Sequence, residues 1–204
     1  MITIVDYGLG NVLAFANMYK RLNIEATIAH TAEELRSAEK IVLPGVGAFD
    51  HAMQRLEQSG MRATLDELVL QQSRPVLGVC VGMQIMADSS DEGRLPGLGW
   101  VKGTVRAFAK SASAADLPLP HMGWNDVQPV SGNRLFSGLQ TGSRFYFLHS
   151  YYFDCAVAAN AAALANYGFD FSCAVNSGNI HGVQFHPEKS HHYGTQLLKN
   201  FADL

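Results

Sequence analysis

The stretch Pro75-Val76-Leu77-Gly78-Val79-Cys80-Val81-Gly82-Met83-Gln84 decides the fold. Val76 to Val79 is a short apolar run that predicts a buried strand, and Met83 to Ala87 predicts a helix. Gly-x-Cys-x-Gly lies between them. A strand breaking into a helix through such a turn pushes its middle side chain out at the C-terminal edge of a sheet, as in a nucleophile elbow with cysteine replacing serine. Gly78 and Gly82 remove the Cβ atoms that would collide there. The sulfur then stands over a helix N-terminus, whose partial positive charge favours thiolate. Unpaired cysteine is also among the most buried residue types, so taken alone the motif reads equally well as a packed turn.

A nucleophilic cysteine needs a base. Gly182-Val183-Gln184-Phe185-His186-Pro187-Glu188-Lys189-Ser190 supplies one, with Val183 to Phe185 predicted to end a strand. If His186 and Glu188 stay extended they point to the same side, roughly 7 Å apart along the backbone. Pro187 is expected to stiffen that geometry and to keep a helix from starting there. Cys80, His186 and Glu188 therefore make a candidate nucleophile, base and orienter.

The flanking chain alternates short apolar strands (Ile2 to Val5, Ala26 to Ala29, Lys40 to Leu43) with helices near Val12 to Leu22, Asp50 to Gln58 and Arg62 to Gln72. That order calls for an α/β fold, a mostly parallel central sheet with helices on both faces, whose ligands gather at the C-terminal strand ends. Pro44 is expected to close the third strand. Asn11 and Thr31 read as helix N-caps, the latter within a Thr-x-x-Glu capping box. Gly8-x-Gly10 fails as a dinucleotide fingerprint because Leu13 takes the place of the third small residue. Beyond Gly93, a strand over Trp100 to Phe108 and β-like runs at Asp126 to Val130, Arg144 to Leu148, Ala161 to Tyr167 and Phe171 to Asn176 suggest a smaller antiparallel sheet. Lys110 to Ala115 reads as a flexible surface loop, and a helix over Tyr193 to Phe201 closes the chain.

The 204 residues suit one domain spanning 1–204. A net charge of −3 with dispersed Lys and Arg offers no stripe for nucleic acid. Cys80, Cys155 and Cys173 are too few for a disulfide framework, which suits a reducing cytoplasm. Asp6 comes too early for a signal peptide, and no apolar run reaches membrane-spanning length. No metal-ligand spacing or cofactor motif is found.

The elbow and the His-Pro-Glu segment together resemble the class I (triad) glutamine amidotransferase family, and the similarity runs from Ile4 to Phe201. Asp6-Tyr7-Gly8-Leu9-Gly10-Asn11, Pro44-Gly45-Val46-Gly47, His121-Met122-Gly123-Trp124-Asn125, His149-Ser150-Tyr151 and Pro187-Glu188-Lys189-Ser190 resemble the branch that passes ammonia to a (β/α)8-barrel cyclase in histidine biosynthesis. Val81 stands where that family usually has Leu.

The resemblance implies glutamine as substrate and a heterodimer with the barrel. It assigns the oxyanion to the backbone N–H groups of Val46 and Val81. It places Gly47 and Gln84 along the bound glutamine and Glu92 at its α-amino group, with His149, Ser150 and Tyr151 around the α-carboxylate end. Asn11, Trp124, Tyr146 and Lys189 would face the barrel. Glycines on both sides of Val46 are expected to leave its peptide groups free to rotate, so the isolated chain would be a poor glutaminase. Paralogues of this branch feed amidino-sugar synthesis instead. The Gly99-Trp100 pair, near a position usually aliphatic, keeps that pathway open as an alternative.

Overall fold

A computed structural model describes residues 1–114 and 117–204. Its first half is built from β1 (Ile2–Val5), α1 (Val12–Arg21), β2 (Ala26–Ala29), α2 (Ala32–Leu35), β3 (Lys40–Gly45), α3 (Phe49–Gln58), α4 (Arg62–Asp66), β4 (Val76–Cys80) and α5 (Val81–Gln84). Every residue of β1 and β4 is buried, as expected of strands covered on both faces. Asn11 caps α1 by accepting from Ala14 N at 3.1 Å, and Phe15 and Tyr19 form the buried stripe of that helix. Thr31 caps α2 by accepting from Glu34 N at 3.2 Å. The Glu34 carboxylate reaches back one residue further than the capping box requires, to His30 N at 2.7 Å.

The second half follows as β5 (Ser89–Ser90), β6 (Gly103–Ala107), β7 (His121–Pro129), β8 (Ser143–His149), β9 (Tyr151–Cys155), β10 (Ala161–Asn166), β11 (Asp170–Ser177), β12 (Ile180–Val183) and α6 (His191–Ala202). The main strand order is β2-β1-β3-β4-β12-β11-β10-β7-β8, with β5, β6 and β9 branching from β11. Along that order pairing is parallel from β2 to β12 and antiparallel beyond it, while on the branch β6 pairs antiparallel with β9 and parallel with β5. The α/β architecture is the expected one, and its antiparallel part adjoins the parallel part through β12.

Several boundaries differ from the sequence reading. β3 does not stop at Pro44 but runs on through Gly45, with Pro44 opposite Val79 and Gly45 opposite Cys80. Proline is tolerated there because the ladder to β1 ends at Val42, so no strand on that side needs its missing N–H. The helix after Cys80 is a single turn ending at Gln84, and Ser89 and Ser90 pair with β6. α4 passes after Asp66 into a π-helical turn at Glu67–Gln71. β6 begins at Gly103, because Trp100 packs inward and donates through Nε1 to Asp66 at 2.7 Å. Phe108–Lys110 and Ala112–Ala114 form 3₁₀ turns where a loose loop was expected, and Ala115 lies outside the described residues. No described helix is long and apolar enough to cross a membrane.

Candidate active site

Cys80 occupies the turn between β4 and α5 with φ +55° and ψ −116°, a backbone conformation that side chains rarely adopt. The flanking glycines are required by contact. A Cβ on Gly82 would stand 2.0 Å from the Leu43 carbonyl oxygen, and one on Gly78 would stand 2.7 Å from the Gly82 carbonyl oxygen. The elbow is therefore closely packed from within the fold. α5 is one turn long, shorter than the helix expected from the sequence.

His186 follows β12, which pairs in parallel with β4 and sets Val183 beside Val79. Adjacent strands thus carry nucleophile and base to one edge. Pro187 does not keep the chain extended; it opens a 3₁₀ turn over Pro187–Lys189 at the first position, where its missing N–H costs nothing. The turn still brings Glu188 Oε1 within 2.8 Å of His186 Nδ1. Loop and sheet are stapled together at Tyr146: His186 N donates to the Tyr146 carbonyl at 2.9 Å, and Tyr146 N donates to Ser190 Oγ at 3.0 Å.

Both side chains of the His186–Glu188 pair are only 5% exposed. Burial alone would lower the imidazole pKa, but hydrogen bonding and charge from Cys80 and Glu188 outweigh it and raise the value from 6.5 to about 9. Glu188 Oε2 is buried without a hydrogen-bond partner. Nδ1 is occupied by Glu188, so Nε2 is the nitrogen left for the sulfur.

A cavity of about 290 Å³ opens over the elbow. Val46, Gly47, Cys80, Val81, Gln84, Glu92, His149, Ser150, Tyr151, His186 and Lys189 all line it, together with Pro120 and Leu148. It thus collects the expected oxyanion and substrate residues. Glu188 stands behind His186, while Asn11, Trp124 and Tyr146 lie outside the lining. A larger cleft of about 720 Å³, between the 129–141 segment and α6, contains none of these residues.

Two of the expected positions are more constrained than the sequence discloses. His149 lines the cavity with both ring nitrogens already engaged: its Nδ1 lies 2.6 Å from the Tyr151 carbonyl and its Nε2 lies 2.9 Å from His121 Nδ1. Since a carbonyl only accepts, His149 Nδ1 must carry the proton. His121 Nδ1 then donates to His149, and His121 Nε2 accepts from Asn125 Nδ2 at 3.2 Å. Burial keeps both rings neutral, lowering His121 to about 4 and His149 to about 3. Gly45 is required by contact, because a Cβ there would stand 2.3 Å from Gly82 N. Gly47, at φ +87°, has open space around it.

Glu92 Oε2 accepts from Phe49 N at 2.8 Å, at the start of α3, and burial raises its pKa. The sequence reading missed Gln184. Its side chain is wholly buried, accepts from Gln84 Nε2 at 3.0 Å and directs its own amide at Cys80 Sγ from 3.8 Å. Its place two residues before His186 was the available signal. Among the described residues no cluster of His, Cys, Asp and Glu could hold a metal ion.

Trp124 stacks on His191 with centroids 5.1 Å apart and meets Tyr146 edge-on at 6.3 Å, while Lys189 Nζ lies 5.8 Å from the Tyr146 ring centroid. Met122 and Leu148, opposite each other on β7 and β8, are exposed beside them. Asn11 is exposed, with its Oδ1 committed to the α1 cap.

Residues 3–204 match the family described as Glutamine amidotransferase class-I. The chain is 61% identical over 204 residues to the imidazole glycerol phosphate synthase subunit HisH of Bdellovibrio bacteriovorus, with both chains covered end to end. It is 52% identical, again over the full length of both, to the protein of the same name from Leptospira borgpetersenii. Among solved structures, one described as a crystal structure of glutamine amidotransferase superposes with a TM-score of 0.77 at 19% identity, covering 99% of this chain and 97% of the other.

Proposed function

The chain belongs to the class-I glutamine amidotransferase family, and we propose that Cys80, His186 and Glu188 are its nucleophile, base and orienter. It serves as the glutaminase subunit of imidazole glycerol phosphate synthase, releasing ammonia from glutamine for histidine biosynthesis; full-length relatives at 61% and 52% identity carry that name. The amidino-sugar alternative loses its motive, since Trp100 is a packed residue tied to Asp66 and lines no part of the cavity.

The observation that carries the residue assignment is the meeting of a strained Cys80 with the Glu188-bound His186 in one cavity. The Cys80 thiolate attacks the carboxamide carbon of glutamine, and the oxyanion is held by the N–H groups of Val46 and Val81. His186 gives its Nε2 proton to the departing nitrogen as the C–N bond breaks, leaving a glutamyl thioester and ammonia. His186 then takes a proton from water, which attacks the thioester and releases glutamate, restoring the Cys80 thiolate beside the protonated imidazole. Gly47, Gln84, Glu92, Ser150 and Tyr151 surround the amino-acid end of the substrate. His149 shapes this wall through its ring and its bond to the Tyr151 carbonyl.

Ammonia must reach an acceptor before water protonates it, and the partner in this reading is a (β/α)8-barrel cyclase. The face made by Met122, Trp124, Tyr146 and Leu148 suits such a contact, because it is apolar, aromatic and continuous with the cavity through Leu148 and Lys189. Asn11 belongs to the same proposed contact. A diazo-ketone analogue of glutamine followed by peptide mapping tests the nucleophile. Label is expected on Cys80 alone, and label spread over Cys155 and Cys173 would overturn the assignment.

A further inference from the structure

Tyr7 and the turn after it remain unused once the glutaminase residues are assigned. Tyr7 is 2% exposed, and its hydroxyl donates to the Pro44 carbonyl at 2.8 Å. That carbonyl belongs to the peptide entering Gly45, one residue before Val46. The β1–β3 ladder has already ended at Ile4 and Val42, so on that side Tyr7 supplies a tether that the sheet does not, while β4 still pairs with Pro44 and Gly45 on the other. The following turn presses on the same place: a Cβ on Gly10, at φ +89°, would stand 2.6 Å from Pro44 Cβ and 3.3 Å from Gly45 N. From the other side Gly45 abuts Gly82. Beyond this clamp the chain opens, with Val46 42% exposed and Gly47 unobstructed.

We propose that Tyr7 is a positioning residue for the oxyanion strand: its hydroxyl fixes the Pro44–Gly45 peptide, so turning the Val46 N–H toward or away from substrate is confined to the Gly45–Val46 peptide. The inference rests on reading Val46 as an oxyanion donor. Burial, and next the nearby negative charge of Cys80, raise the phenol pKa, so the hydroxyl remains a donor throughout the working pH range. The tether lets one peptide move without loosening the elbow beside it.

Tyr7→Phe keeps the ring and deletes the tether. In the complex of this chain with its cyclase and the cyclase substrate, kcat for L-glutamine is expected to fall about tenfold, a fraction of the 10²–10³ lost when an oxyanion donor is removed outright. KM for glutamine and the rate of Cys80 alkylation by iodoacetamide, which needs the thiolate but no oxyanion hole, are expected to stay at wild-type values. Wild-type kcat in the variant would overturn the proposal, and so would a loss of kcat matched by a loss of alkylation, which would place the damage in the triad. Failure of the wild-type complex to hydrolyse glutamine would remove the glutaminase reading itself. Should Tyr7→Phe not fold, Gly10→Ala, which displaces Pro44 from the other side, is judged by the same three readouts.

Discussion

Two adjoining turns meet at the cavity, and they are built to opposite specifications. At the elbow, Gly78 and Gly82 face backbone atoms closer than any Cβ could tolerate, and Cys80 is held at φ +55°. At Pro44–Gly47, Gly45 is equally confined by Gly82, yet two residues later Gly47 has nothing within 4 Å of where its Cβ would be. The proposed nucleophile is therefore held in a packed turn, while the proposed oxyanion donor Val46 borders chain with open space around it. On that reading the rate would be governed through the position of an N–H.

The most severe way to break this contrast is to remove the fixed element. Cys80→Ala is expected to lower glutamine hydrolysis by on the order of 10⁶, the size of a lost nucleophile, while folding and partner binding persist. Hydrolysis surviving at one-tenth of wild type would move the nucleophile elsewhere. The mobile element is tested by assembly. The isolated chain is expected to gain about 10²–10³ in turnover when the cyclase and its substrate are added, as one oxyanion donor comes into place. An isolated chain that is already at full rate would refute the idea that this strand moves.

The glycines sharpen the contrast without touching chemistry. Gly82→Ala forces a methyl against the Leu43 carbonyl and is expected to cost more than about 3 kcal/mol, whereas Gly47→Ala costs about 1–3 kcal/mol from its positive φ alone. Urea unfolding of the two variants measures the difference, and equal costs would show that the elbow is not the tighter turn. The smallest effect is a matter of pH. His186 is raised from 6.5 to about 9, so the stability it contributes is whole below pH 6.5 and is lost as pH climbs toward 9. The Tm gap between wild type and Glu188→Gln should therefore narrow across that interval. A gap that stays constant would mean that the pair does not hold a charged imidazole.

What could be read from the sequence was local. Gly-x-Cys-x-Gly announces its turn because strand, strained residue and helix are contiguous, and His-Pro-Glu announces its pair even though the expected extended geometry is in fact a 3₁₀ turn. What could not be read depends on partners distant in the chain. Gln184 looks like an ordinary strand residue until Gln84 and Cys80 are beside it. Nothing adjacent to His149 in sequence discloses that His121 and the Tyr151 carbonyl occupy its nitrogens. Pro44 was taken for a strand end because the early termination of the β1 ladder, which makes room for it, is a property of the sheet.

The position of β12 carries a consequence for the timing of synthesis. It is the last strand of the sheet, yet it lies between β4 and β11 near the middle and carries His186 to the elbow. If Cys80 and His186 act as proposed, a nascent chain that lacks β12 holds its cysteine without its base, and it is expected to hydrolyse no glutamine until β12 inserts between β4 and β11.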